Sequence, residues 1–135
     1  MGKFIISGEN RLEGEVRVGA AKNAVLPILA ATIINGKQNI LYDCPVLRDV
    51  DSMIKILKAL GCKVHNEGSA LIVDSSTLSS HEVPEHLVRE MRSSIFLMGP
   101  MLVRCGKVRI SYPGGCDNIL EYEGTRLWPQ CEKAD

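Results

Sequence analysis

The sequence predicts an α/β chain with a layer of helices lying on a sheet. Three observations carry that reading. Helical and strand-like periods alternate along the chain. The helical stretches place apolar residues three and four positions apart. The strand-like stretches are short, apolar or alternating in polarity, and bounded by turn residues.

The elements follow in order. Lys3–Ser7 and Glu13–Val18 read as strands, with Gly8 and Asn10 supplying the turn between them. In the second, Val16 and Val18 alternate with Glu15 and Arg17, a half-buried pattern. Ala20–Ile34 reads as a helix that is apolar nearly all round, with Lys22 and Asn23 as the polar exceptions at its start. Pro27 is tolerable only in a first turn, which places the true start later than Ala20. Gly36 ends the segment, and Gln38–Tyr42 reads as a strand.

Asp49 is a good N-cap, and Val50, Met53, Ile54, Leu57 and Leu60 then define an amphipathic helix. Gly61 stands where a left-handed residue closes a helix. Cys62–His65 and Ala70–Val73 are strands joined through Asn66-Glu67-Gly68, and Ser75–Pro84 is a polar loop. A longer helix is expected over Glu85–Arg104, with Leu87, Met91, Ile95, Met98 and Leu102 inward and a kink or break at Gly99-Pro100. Lys107–Ser111 is a strand that runs into Pro113-Gly114-Gly115-Cys116. Beyond it, residues 117–135 show neither period and read as a loosely ordered tail.

A chain of 135 residues suits one domain and can bury a core without disulfide staples. Sixteen basic and sixteen acidic residues cancel without long runs, so the basic stripe typical of nucleic-acid binding is absent. A small polyanionic substrate stays open, since a few placed cations suffice. Five cysteines, an odd number without CxxC spacing, disfavour a disulfide framework or a zinc site and suit reduced thiols in the cytosol. No signal-peptide core or membrane span is evident. His65, His81 and His86 lack ligand-like spacing and read as surface residues.

Three local features could carry chemistry. Gly114-Gly115 frees the backbone to present Cys116 on an exposed loop, as general acid, nucleophile or redox thiol. An inert residue in a turn is the commoner outcome for such a tetrapeptide. Lys22-Asn23 at a helix start makes an anion site or merely a solvated helix end. Arg92 in Met91-Arg92-Ser93-Ser94 could grip a phosphate or carboxylate bidentately, or sit exposed or ion-paired.

Taken in order, the motifs say more. Gly19-Ala20-Ala21-Lys22-Asn23-Ala24, Leu47-Arg48-Asp49-Val50, Met91-Arg92-Ser93-Ser94 and Pro113-Gly114-Gly115-Cys116 together resemble the UDP-N-acetylglucosamine enolpyruvyl transferase (1-carboxyvinyltransferase) family, an EPSP synthase-like group. Gly14-Glu15-Val16 and Leu60-Gly61-Cys62-Lys63-Val64 fit the same pattern, so the resemblance runs from about Lys3 to Cys116. It implies part of an inside-out α/β barrel built from βαβαββ units. It implies transfer of the enolpyruvyl group of phosphoenolpyruvate to UDP-N-acetylglucosamine with release of phosphate, the first committed step of peptidoglycan precursor synthesis. Cytoplasmic location is implied too, with no metal or other cofactor. Residue by residue, Lys22 and Asn23 match the phosphoenolpyruvate-binding pair. Arg92 matches a substrate-binding arginine of the active-site region. Cys116 matches the loop cysteine that donates a proton and can carry a covalent adduct.

The resemblance then stops. The family's Arg-Pro-hydrophobic-Asp motif, expected shortly after the cysteine, is missing; Gly124-Thr125-Arg126 resembles its start, but Leu127-Trp128-Pro129 departs, and Arg126 receives no role. The family is also several times longer, with its active site in a cleft between two domains. The chain therefore divides into residues 1–116, the N-terminal portion of the enolpyruvyl transferase domain, and a divergent stretch 117–135. A truncation or frameshift near Cys116 is the favoured origin; a short paralogue with a new tail is the alternative. Three rival functions stay open: a non-catalytic binding or regulatory module, a thiol redox protein, and the shikimate-branch transferase. Translation of the coding DNA beyond the Cys116 codon in all frames is expected to recover the Arg-Pro-hydrophobic-Asp motif. Its absence from every frame would make residues 117–135 a genuine tail.

Overall fold

The computed structural model describes residues 3–5, 8, 11, 13–111 and 119–123; for Lys22 and residues 119–123 it describes the backbone alone. The elements are α1 (Lys22–Ala31), β1 (Gln38–Tyr42), α2 (Arg48–Ala59), β2 (Lys63–Glu67), β3 (Ala70–Asp74), α3 (Glu85–Glu90), a 3-10 segment (Arg92–Leu97), α4 (Met98–Cys105), β4 (Lys107–Ser111) and β5 (Ile119–Glu123). Strands β1, β3 and β2 form an antiparallel sheet in that order, with Ile40 and His65 opposite Ile72. Strands β4 and β5 form a separate antiparallel pair.

Helix α2 shows how local sequence sets the frame. Val50, Met53, Ile56 and Leu57 share one buried face, while Asp51, Lys55 and Lys58 stay in water. Asp49 is not its N-cap. Leu47 takes that place with an extended backbone and no side-chain cap, and Asp49 and Asp51 stand in the first turn, where the helix dipole favours negative charge. At the other end Cys62 N–H donates to Leu57 O at 3.0 Å and Gly61 N–H to Lys58 O at 3.0 Å. That pairing is a Schellman closure, and Gly61 supplies it at φ 100°.

The loop after β3 locks onto this closure. Thr77 Oγ1 donates to Gly61 O at 2.7 Å, and Ser79 N–H donates to Leu60 O at 3.0 Å. Strands β2 and β3 meet through Gly68-Ser69, with Gly68 at φ 59°, rather than through Asn66-Glu67-Gly68; the shorter loop lets Glu67 pair with Ala70.

Helix α1 spans fewer residues than its apolar run. Pro27 lies well inside it, not in its first turn, so the helix lacks one amide donor toward Asn23. Its C-terminal carbonyls find other partners. Thr32 Oγ1 donates to Leu29 O at 2.7 Å, and Ser75 Oγ donates to Thr32 O at 2.7 Å. Leu26, Leu29 and Ile33 then enter one core with Met53, Ile56, Leu57, Val73, Val88, Leu97, Met101 and Ile110. Each such side chain contributes roughly 1.5–3 kcal/mol on full burial.

Three further expectations are corrected. The described parts of Lys3–Ser7 and Glu13–Val18 form no strand. Val16 and Val18 are 89% and 90% exposed, and an alternating segment without a ladder partner has nothing to hold it in a sheet. The helix expected over Glu85–Arg104 is broken, but at Met91, which is extended at φ −144° and ψ 113°. Gly99-Pro100 falls in the first turn of α4, where a missing amide costs no hydrogen bond. Finally, β5 lies within the stretch read as lacking a period; it is held by its ladder to β4.

Two substitutions test this frame. Leu57→Ala is expected to cost about 2–5 kcal/mol in urea unfolding, because a fully buried residue leaves a cavity. Gly61→Ala would bring a Cβ within 2.5 Å of Ser79 Oγ and 2.9 Å of Thr77 O at a positive φ. A loss of roughly 1–3 kcal/mol or more is expected, and an unchanged urea midpoint would remove Gly61 from this role.

Candidate anion site at the helix starts

Helix α1 begins without a side-chain cap. Ala21 is extended, and its carbonyl accepts from Ala24 N–H at 3.0 Å and Val25 N–H at 3.1 Å. The first amides of α1, on Lys22 and Asn23, precede these bonds and belong to the unsatisfied donors of any helix start. Asn23 is exposed; Lys22 is the first helical residue. Helix α2 also starts without a side-chain cap, at the exposed Arg48.

The two starts lie at one end of the unit. Asn39 Nδ2 and Ser75 Oγ reach Thr32 O at the far end of α1. Leu41, Tyr42 and Asp43 instead line a groove with Ala20–Ile28 residues of the α1 start. Strand β1 therefore runs back along α1, and the loop after it returns the chain to the α1 start before α2 begins. At this end a groove of about 770 Å³ is lined by residues 17–20, by 43–46 and by Asn66, Gly68, Ser69 and Leu71 of the β2–β3 hairpin. Asp43 turns that loop at φ 53°, a conformation aspartate tolerates better than most side chains. The uncapped start of α1 and the exposed Arg17 and Arg48 favour an anion at this end, while Asp43 in the groove and Asp49 and Asp51 in the first turn of α2 oppose one beside α2.

Arg92 opens the 3-10 segment and is exposed. That segment packs along α1. At its far end the run continues into α4, where the Arg104 guanidinium lies against Gly36, just past the end of α1. The run from Arg92 to Arg104 thus flanks α1 and ends beyond its C-terminal end. Lys22 and Asn23 open α1, and Arg92 opens the segment that packs on α1. Cys116 lies outside the described residues. The sequence reading missed the pairing of the α1 and α2 starts. The signal available was Arg48, a cation at the first position of α2.

The described cysteines have the opposite character to an activated thiol. Burial, with Asp74 and Cys105 adding, pushes Cys62 up to about 11. Burial raises Cys44, with Asp51 adding, and burial raises Cys105 against the opposing effect of Arg104. Among the described residues no group of three or more His, Cys, Asp and Glu could hold a metal ion. His65 and His86 are exposed, and His81 is half-buried.

Comparison with known proteins identifies the family. The family model of EPSP synthase (3-phosphoshikimate 1-carboxyvinyltransferase) matches residues 6–118. The chain belongs to the EPSP synthase family. It is 55% identical over 117 residues to UDP-N-acetylglucosamine 1-carboxyvinyltransferase 2 of Caldanaerobacter subterraneus subsp. tengcongensis, covering 87% of this chain and 28% of that protein. It is 46% identical over 116 residues to UDP-N-acetylglucosamine 1-carboxyvinyltransferase of Acinetobacter baylyi, covering 86% and 28%. The crystal structure of the enolpyruvyl transferase NikO from Streptomyces tendae superposes with a TM-score of 0.67 at 28% identity, over 77% of this chain and 24% of that one. The chain thus spans about 28% of the length of the curated relatives it matches. The mixed helix and strand architecture is the expected one. No helix among the described residues is long and apolar enough to cross a membrane.

Cys62 gives a pH test. Its folded pKa is raised, so above pH 9 the folded state holds a proton that the unfolded chain releases. Stability is expected to be full below about pH 9 and to fall as pH rises through about 11. Denaturant midpoints from pH 8 to 11 check this, and Cys62→Ala should flatten the slope over that window. An identical slope in the variant would assign the loss elsewhere.

Proposed function

We propose that this chain forms part of an enzyme that transfers the enolpyruvyl group of phosphoenolpyruvate to UDP-N-acetylglucosamine with release of phosphate. The observation that carries the reading is the identity of 55% over 87% of the chain to a protein of that name. In this reading the protein acts in the cytoplasm, in the first committed step of peptidoglycan precursor synthesis, and so bears on cell shape and division.

The chemistry assigns roles to the residues singled out. A proton must reach the methylene carbon of phosphoenolpyruvate. The neighbouring carbon becomes electrophilic and the sugar hydroxyl adds to it with loss of its proton; the tetrahedral intermediate then loses phosphate from that carbon and a proton from the new methyl group, which restores the enol double bond. Cys116 supplies the proton as a thiol on the Gly114-Gly115 loop and is the atom open to a covalent adduct. Lys22, Asn23 and the free amides of the α1 start hold the phosphate and carboxylate of phosphoenolpyruvate. Arg92 balances charge as it shifts toward the leaving phosphate and contacts the nucleotide-sugar region. No metal or other cofactor is needed in this scheme. The division at Cys116, with 117–135 as a divergent stretch, belongs to the same proposal, and the remaining wall of the cleft is supplied by a region this chain does not contain.

A second reading rests on the coverage of about 28% of the relatives' length: a binding or regulatory module that keeps the fold unit without catalysis. Phosphate release separates the two. The chain is mixed with the rest of a relative's polypeptide supplied in trans, and release from phosphoenolpyruvate is measured with and without UDP-N-acetylglucosamine. Release that depends on the nucleotide sugar is expected, with Cys116→Ala lowering it by about 100-fold or more and Lys22→Ala by a similar factor. Release that depends on 3-phosphoshikimate instead would move the chain to the other branch of its family. No release with either acceptor would favour the module.

A further inference from the structure

Ser94 is fully buried, and its Oγ is the one buried side-chain oxygen or nitrogen among the described residues without a hydrogen-bond partner. A native protein rarely keeps such a group, because an alanine would avoid the desolvation cost. Ser94 lies in the 3-10 segment that begins with Arg92, and its own amide donates to Met91 O at 3.2 Å. That segment runs for six residues, longer than the three or four at which 3-10 geometry normally stops. Its sequence also favours another state. Leu87, Met91, Ile95, Met98 and Leu102 keep an unbroken α-helical period across the point where the backbone breaks.

We propose that Arg92–Leu97 is a two-state helical element and that Ser94 is the positioning residue that sets the direction of Arg92. In the 3-10 state seen here, the hydroxyl has no acceptor. When the segment winds into an α-helix continuous with α3, the hydroxyl gains the usual outlet of a helical serine, the carbonyl of Glu90 or Met91 in the preceding turn. The change reaches Arg92 through geometry. Over the five steps from Leu97 back to Arg92, a turn of about 100° per residue replaces about 120°. Relative to α4, Arg92 therefore swings by about 100° around the axis and moves by about 2.5 Å along it, carrying α3 with it. An anion bound at the α1 start that attracts Arg92 in one of the two directions selects that state. The inference rests on the anion-binding role proposed for Lys22, Asn23 and Arg92.

The test uses the 135-residue chain with inorganic phosphate and phosphoenolpyruvate as probes, followed by NMR titration. Saturating probe is expected to move the Cα shifts of residues 92–97 toward α-helical values and to slow exchange of the Ser94 amide. Ser94→Ala removes the orphan hydroxyl, so its melting midpoint should rise by about 4–8 °C. Yet it should bind both probes about fivefold or more weakly, with residues 92–97 unmoved. Ser94→Thr keeps the hydroxyl and should restore the affinity to within about twofold. Wild-type affinity in Ser94→Ala, or shifts at 92–97 that stay fixed while the probes bind at Lys22 and Asn23, overturns the proposal alone. Binding of neither probe by the wild-type chain removes the anion reading and this proposal with it.

Discussion

Helix α1 has no polar side chain between Asn23 and Thr32, so it cannot sit on a surface in the ordinary amphipathic way. Its inward residues Leu26, Leu29 and Ala30 demand cover from α2 and from the 3-10 segment on its flanks. This demand orders the unit. Ser75 and Asn39 hold the far end of α1 through Thr32 O, and Arg104 closes over Gly36 beside it. The near end is left with its amides open and its only polar residues gathered there. Burial of the apolar length thus fixes where the polar end must be.

Much of this was legible in the sequence, for reasons that differ by element. Strands β1 and β4 fall on the predicted residues because turn-forming or glycine residues bound short runs, and in β4 Val108 and Ile110 alternate with Lys107 and Arg109. Helix α2 was legible from its spacing and from Gly61. What escaped were features decided by backbone competition. Asp49 has the chemistry of a cap, but one more helical turn position at Arg48 moved the boundary before it. Met91 keeps helical period by its apolar character while adopting an extended backbone, and no periodicity argument can see φ. The N-terminal alternation of Val16 and Val18 was real but found no strand to pair with.

The candidate site was legible as residues and not as a place. Lys22, Asn23 and Arg92 each read weakly alone, and only their order along the chain gave them meaning. The return of β1 along α1 and the packing of the 3-10 segment on α1 are long-range features that no spacing argument contains. The groove between residues 17–20, 43–46 and the β2–β3 hairpin was invisible for the same reason. Cys116, named from its Gly-Gly setting, lies outside the described residues and stands on the family pattern alone.

The Schellman closure at Gly61 has a kinetic meaning as well. It ties α2 to β2 directly, and the Thr77 and Ser79 bonds return to the same turn after the β2–β3 hairpin. Every one of these contacts spans a short stretch of chain, whereas the pairing of β1 with β3 must close a longer loop. Loop entropy therefore favours order in 48–80 first, with β1 and α1 docking onto a formed surface. A ribosome releasing this chain from its N-terminus would expose α1, the most apolar helix, before the surface that covers it had been made.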